Sequence, residues 1–214
     1  PAGKGEAFAT FARELDAALK NEYAVTDPGV ALECVPSSAD RAVSPERTAV
    51  LLRALAVLPH GVEAMDTDFP GLVQTSLNIG VVRLDDAGLH VTFSIRSSIA
   101  SRKEMLAQRV RAAAELAGGT VTERGVYPGW QYRRDSQFRE TLLAAYKDLT
   151  GKDGVVEATH GGLECGLFME KLPGLDAVSL GPDILDIHSV RERLGVSSVA
   201  RTYALVCEVL RRSV

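Results

Sequence analysis

The chain has 214 residues, 46% of them apolar, and a formal net charge of −4, which is enough apolar material for one large or two small packed domains. An acidic balance gives no basic face of the kind that holds a phosphate backbone, so nucleic acid is excluded as an expected partner. The longest apolar stretch, Ala49 to Leu58, is broken by Arg53 and falls short of the roughly 20 residues that span a bilayer, so no membrane association is expected.

Helical spacing appears first over residues 6–21, where Phe8, Phe11, Leu15, Ala18 and Leu19 share a stripe expected to pack. A short strand is expected over residues 30–35. Ser44-Pro45-Glu46 then opens a second helix, with Ser44 as N-cap and Pro at the first helical position. That helix closes before Pro59 and turns Val50, Leu51, Ala54, Leu55 and Leu58 toward a core.

A hairpin comes next. Leu89, Val91, Phe93 and Ile95 alternate with polar residues, the period of a half-buried strand. A three-residue loop, Asp86-Ala87-Gly88, sets Val81 opposite Phe93, Ile79 opposite Ile95 and Asn78 opposite Arg96. Ser101 and Glu104 read as a capping box for a helix ending at Gly118-Gly119, followed by a strand over residues 120–124. The texture changes at the turn-rich Tyr127-Pro128-Gly129-Trp130, where a domain boundary is expected. Beyond it come a helix over 136–149, a strand over 155–159, a short helix, a strand over 177–180 and a final helix from Ser197. The spacing of Val199, Tyr203, Val206 and Leu210 places these four on the buried face of that helix, with Arg201, Glu208, Arg211 and Arg212 in water.

Cys34, Cys165 and Cys207 are odd in number and widely separated, which suggests neither a disulfide framework nor a thiolate metal site; they read as buried small apolar residues in a reducing cytosol. Two glycine-rich segments beside apolar strands carry the chemistry. In the segment 181–189, His188 has the neutral imidazole of a metal ligand, with Asp186 or Asp183 able to fix its tautomer, or it is an exposed loop histidine. In the segment 159–166, His160 and Glu164 stand at a helix start whose N–H groups suit an anion, or Glu164 simply caps that helix. Arg96, paired with Asn78 on the polar face of the hairpin, could clamp a carboxylate, although an isolated surface arginine reads the same way. No GxSxG elbow, phosphate-binding P-loop or HExxH sequence is present.

Taken together, VQTSLNIGVV (73–82), FSIRSS (93–98), YPGWQ (127–131), HGGLECGLF (160–168), VSLGPDILDIHS (178–189) and SSVARTY (197–203) resemble the aminoacyl-histidine (Xaa-His, carnosine-cleaving) dipeptidases of the aminoacylase and carboxypeptidase clan. The six segments keep the family's order and run nearly the length of the chain. The resemblance implies an α+β and α/β architecture: residues 1–126 as a ferredoxin-like lid, an antiparallel sheet with two helices whose first strands are missing, then residues 127–214 as the C-terminal portion of a mixed α/β catalytic domain. It implies two divalent metal ions, zinc, with His188 matching the last metal ligand. Asn78 and Arg96 match lid residues that touch substrate; His160 and Glu164 match a His-Ala-Gly-Leu-Glu segment, here with Gly161 for the usual Ala.

The remaining ligands and the glutamate base of that family would precede residue 1, so this chain alone is expected to be inactive, with a dipeptide substrate, a homodimeric lid surface and a cytoplasmic location belonging to the intact protein. Two other readings carry over: a non-catalytic lid-derived module for oligomerisation or ligand binding, and a sibling deacylase or tripeptidase.

Overall fold

The computed structural model of the chain describes residues 4–213. Its backbone separates into two compact units, the first ending at Arg47 and the second beginning at Thr48.

The first unit is built on helix α1 (Gly5–Glu22), closed where the Tyr23 N–H meets the Leu19 carbonyl. Asp16 ties the segment beyond the helix back onto it: its carboxylate accepts the Leu32 N–H at 2.8 Å and the Lys20 ammonium at 2.8 Å. These bonds, led by the one from Leu32, hold the Asp16 carboxyl below its ordinary value. Residues 30–35, expected as a strand, run without a strand partner among the described residues, and Cys34, expected buried, is exposed there, as is Cys207 later in the chain. The expected stripe also differs. Phe8 and Phe11 are more than half exposed, and Ala12, one position along from Phe11, is the residue that α1 buries.

Helix α2 (Pro45–Val57) starts as its sequence dictates, with the Ser44 hydroxyl accepting the Arg47 N–H at 3.2 Å. Strands β1 (Gly61–Met65), β2 (Val73–Asp85) and β3 (Gly88–Ser97) form an antiparallel sheet in that order. The register is not the expected one. A two-residue turn, Asp86-Ala87, joins the strands; Gly88 takes φ 141° and the Asp85 carboxylate accepts the Ala87 N–H. Gly80 then forms a bulge, so that Ile79 faces Phe93, Leu77 faces Ile95, Asn78 faces Ser94 and Arg96 faces Ser76. Beyond the bulge the two single-residue changes together slide the pairing by two positions, so core-facing residues still meet core-facing residues while every partner changes.

Helix α3 (Ala100–Leu116) lies across β2 and β3 and closes the core, where Leu106, Val110 and Leu77 are buried against Leu58, Ile79, Phe93, Ile95 and Val121. The expected capping box is absent, since the helix begins one residue before Ser101, with Ile99 in the N-cap position. Ser97 takes over the task, its hydroxyl accepting the Ile99 N–H and bonding the buried Thr75 hydroxyl at 2.8 Å. Gly118, at φ 75°, ends α3 where expected, and the Gly118 and Gly119 N–H groups return to the Glu115 and Ala114 carbonyls. Residues 120–124 are irregular rather than a strand, held by Val121 in the core and an Arg111–Glu123 ion pair.

Helix α4 (Gln137–Thr150) is capped by Ser136, whose hydroxyl accepts the Arg139 N–H at 3.0 Å and donates to Asp176 at 2.7 Å. Burial pushes the Asp176 carboxyl up, but the Phe138 N–H and the Ser136 hydroxyl outweigh it and leave the group below its ordinary value. Helix α5 (Glu164–Lys171) comes next, then a small hairpin of β4 (Ile184–Leu185) and β5 (Arg193–Leu194), and finally helix α6 (Val196–Arg212). Residues 155–159 and 177–180 carry no strand pairing among the described residues.

Helix α6 packs on α4 beside the buried Val209, and Arg212, paired with Glu208 of its own helix at 2.8 Å, reaches Asp148 of α4 at 2.7 Å. The face expected to be buried is turned out: Val199, Tyr203, Val206 and Leu210 are all exposed, Tyr203 by 71%. The α4 contact takes up the neighbouring face instead.

Candidate functional site

Alternation along β2 puts Gln74, Ser76 and Asn78 on the face opposite Thr75, Leu77 and Ile79, which go to the core. Arg96 of β3 stands directly across from Ser76 on that polar face. Onto it comes His160, 84 positions further along the chain, with its Nε2 2.7 Å from the Ser76 hydroxyl. The Val73 backbone bonds the same ring. Burial pushes the His160 imidazole below its ordinary pKa, the Arg96 guanidinium pushes it further, and the Val73 bond opposes them. At neutral pH the ring is therefore neutral, and the fixed positive charge beside it belongs to Arg96.

The loop reaches the sheet because glycines let it. A Cβ at Gly162 would strike the Tyr127 ring, and one at Gly166 would lie 3.2 Å from the Pro128 carbonyl oxygen. Gly129 is tighter still, since a Cβ there would sit 2.6 Å from the Ser97 oxygen and 2.7 Å from that of Ser98. Residues 127–130 thus form a wedge with the end of β3 on one side and the glycine-rich loop on the other, pinned by the Lys103 ammonium donating to the Tyr127 carbonyl. Burial, then the Glu164 carboxylate, raise the Tyr127 phenol above its ordinary value. Glu164 itself is exposed in the first turn of α5, where the helix dipole favours its charge.

Arg96, His160 and, through Tyr127, Glu164 are thus gathered around the polar end of the sheet. Asn78 lies on the same face, exposed, one alternate position beyond Ser76. Arg96 is also exposed and makes no ion pair or hydrogen bond among the described residues, so its guanidinium is available to an anion.

His188 belongs to a different loop, between β4 and β5. It has φ 64° and Asp186 has φ 53°, both left-handed, a conformation that costs a non-glycine residue about 1 kcal/mol or more. The His188 N–H donates to Glu192 at 2.8 Å. Asp186 pairs with Arg193 at 2.9 Å and Asp183 with Arg201 at 3.0 Å, so neither carboxylate takes the expected place at the imidazole. The loop is anchored by Ser198, only 2% exposed, whose hydroxyl accepts the Asp183 N–H and donates to the Gly195 carbonyl. Among the described residues no three His, Cys, Asp or Glu side chains gather as a metal site. One imidazole falls short of the three or four protein ligands that zinc requires, so the donors of this chain do not by themselves fit a metal centre.

Sequence reasoning missed Ser76, Tyr127 and Ser198. Ser76 was within reach, because period-two alternation puts it on the face of Asn78; the signal for Ser198 is its place in the first turn of a helix behind Gly195. Gln74 adds a buried side-chain oxygen without a hydrogen-bond partner on that same face.

No protein-family model matches the chain. The cytosol non-specific dipeptidase of Escherichia coli (strain K12) is 33% identical over 220 residues, an alignment that covers 96% of this chain and 45% of that protein. The crystal structure of aminoacylhistidine dipeptidase from Vibrio alginolyticus superposes with a TM-score of 0.84 at 29% identity, covering 99% of this chain and 44% of that one. An aminopeptidase PepT from Bacillus cereus shares the fold, with a TM-score of 0.58 at 21% identity over 78% of this chain and 46% of its own. The chain spans less than half the length of the relatives it matches. No helix among the described residues is long and apolar enough to cross a membrane.

Proposed function

We propose that the chain is the C-terminal part of a dipeptidase related to these proteins, and that the intact protein hydrolyses dipeptides of the Xaa-His type with divalent metal, zinc, in the cytoplasm. The observation that carries this reading is the meeting of two of the segments that define the resemblance: His160 of HGGLECGLF stands on β2 beside Arg96 of FSIRSS. A neutral, hydrogen-bonding ring next to an unpaired guanidinium suits a small zwitterionic ligand, whose carboxylate takes Arg96 and whose polar groups take Asn78, His160 and Glu164. We assign residues 1–126 to the lid and 127–214 to the C-terminal portion of the catalytic domain, with His188 as the metal-side residue of this chain and the lid as the surface of a homodimer. The base and the other metal ligands lie outside this chain in our reading, so we assign it no bond-breaking step.

The test is a panel of dipeptides, tripeptides and N-acyl amino acids offered to the intact protein before and after treatment with a chelator. Turnover concentrated on Xaa-His dipeptides and lost on chelation is expected. A protein that cleaves none of the dipeptides, or that prefers N-acyl amino acids, would sink the proposal.

A further inference from the structure

Resting on that reading, we propose that Ser76 is a positioning residue: it holds the His160 ring against strand β2 and so fixes the glycine-rich loop beside Arg96. The geometry is specific. The Ser76 hydroxyl lies 2.7 Å from Nε2, and the Val73 backbone, three residues earlier on the same strand, bonds the ring as well. A neutral imidazole has one N–H and one lone pair. The Val73 carbonyl takes the N–H, and the Ser76 hydroxyl donates to the lone pair on Nε2.

This arrangement bears on the loop because the loop holds itself poorly. Residues 159–163 belong to no helix or strand, and Gly161 and Gly162 leave the backbone few restraints of its own. Gly162 packs on Tyr127, and His160 supplies the side-chain tie to the sheet, reaching it over 84 positions of sequence. Of the charged groups around the loop, Arg96 from β3 acts on the ring, while Glu164 acts on Tyr127 and Cys165 from α5. With the ring neutral and fixed, one cation faces the ligand. Without Ser76, the ring is free to rotate off the strand, and the loop's register with Arg96 is lost.

Thr and Val have nearly the same shape and both suit a strand, so Ser76→Thr and Ser76→Val separate the hydroxyl from the fold. The first readout is the titration of the His160 ring by NMR in this chain; four histidines are present, and His160→Gln assigns the signal. Ser76→Val should raise the midpoint by about half a pH unit, because the neutral form loses its donor, and Ser76→Thr should leave it in place. The second readout is kinetic, in the intact protein: Ser76→Val should raise KM for an Xaa-His dipeptide several-fold with kcat within about twofold, and Ser76→Thr should restore it. An unmoved midpoint in Ser76→Val, or Thr behaving as Val does, overturns the proposal. A midpoint that moves while KM stays unchanged also overturns it, as the hydrogen bond would then position nothing that matters to substrate. If the titration behaves as expected but the intact protein cleaves no dipeptide at all, the hold on His160 stands and the proposed function fails.

Discussion

Residues 58–121 and residues 155–210 place their apolar side chains in opposite ways. In the first stretch Leu77, Leu106 and Val110 close a core between a three-stranded sheet and α3, and even the polar Thr75 is fully buried with a hydroxyl partner. In the second, Val155, Tyr203 and Leu210 face outward, and the segments expected as strands run unpaired. Around Leu77 and Leu106 the sheet and its helix satisfy their own pattern, while Val81, Val82 and Leu84 at the far end of β2 are exposed. The later stretch leaves apolar side chains exposed, and it also carries the loop with His188, strained and anchored but short of companions among the described residues.

The largest effect that would test this division is on activity. In the intact protein, His188→Ala should abolish dipeptide hydrolysis together with bound metal; metal content equal to that of the unsubstituted protein would remove His188 from the metal side. This chain alone should take up no stoichiometric zinc by calorimetry.

Next comes stability of the chain. Leu106→Ala should lower the unfolding free energy in urea by about 2–5 kcal/mol, because Leu106 is wholly buried, whereas Tyr203→Ala should change it by about 0.5 kcal/mol or less. Equal losses at the two sites would erase the contrast. Ser136→Ala should cost about 1–2 kcal/mol, since one hydroxyl both caps α4 and satisfies Asp176.

The smallest effect is one of pH. The folded His160 pKa lies below its unfolded value, so the unfolded chain binds the extra proton first. Stability that is complete above about pH 6.5 should then decline gently as pH falls from there. His160→Gln should flatten that part of the profile.

Legibility in the sequence divides along the same line. Period-two alternation identified the hairpin and put Ile79, Phe93 and Ile95 on the core face, because sheet parity is fixed by burial, but Val81, read onto the same face, is exposed. It gave the wrong partners, because register depends on how many residues the turn uses and on whether Gly80 bulges, and neither leaves a periodic trace. Ser44 and Gly118 were legible from local capping chemistry; Ser101 was not a cap because the Ser97 hydroxyl, bonded to Thr75, had already taken the helix start one turn earlier. For α6 the spacing of Val199, Tyr203, Val206 and Leu210 was read correctly as one face, and its burial was not, because periodicity says that a face is apolar and not what lies against it. The candidate site was legible as Arg96 and His160 separately. Their meeting through Ser76 was not, since a contact across 84 positions is a property of the fold.

The backbone at Gly129 sits where no side chain of any kind fits, with two carbonyl oxygens under 3 Å from the place a methyl would take. In a saturation screen of the gene, this codon should tolerate substitution as poorly as one encoding a reactive group, although it does no chemistry. Reading such a screen for catalytic positions therefore needs protein abundance beside activity, because at Gly129 both should fall together, while at Arg96 only the second should.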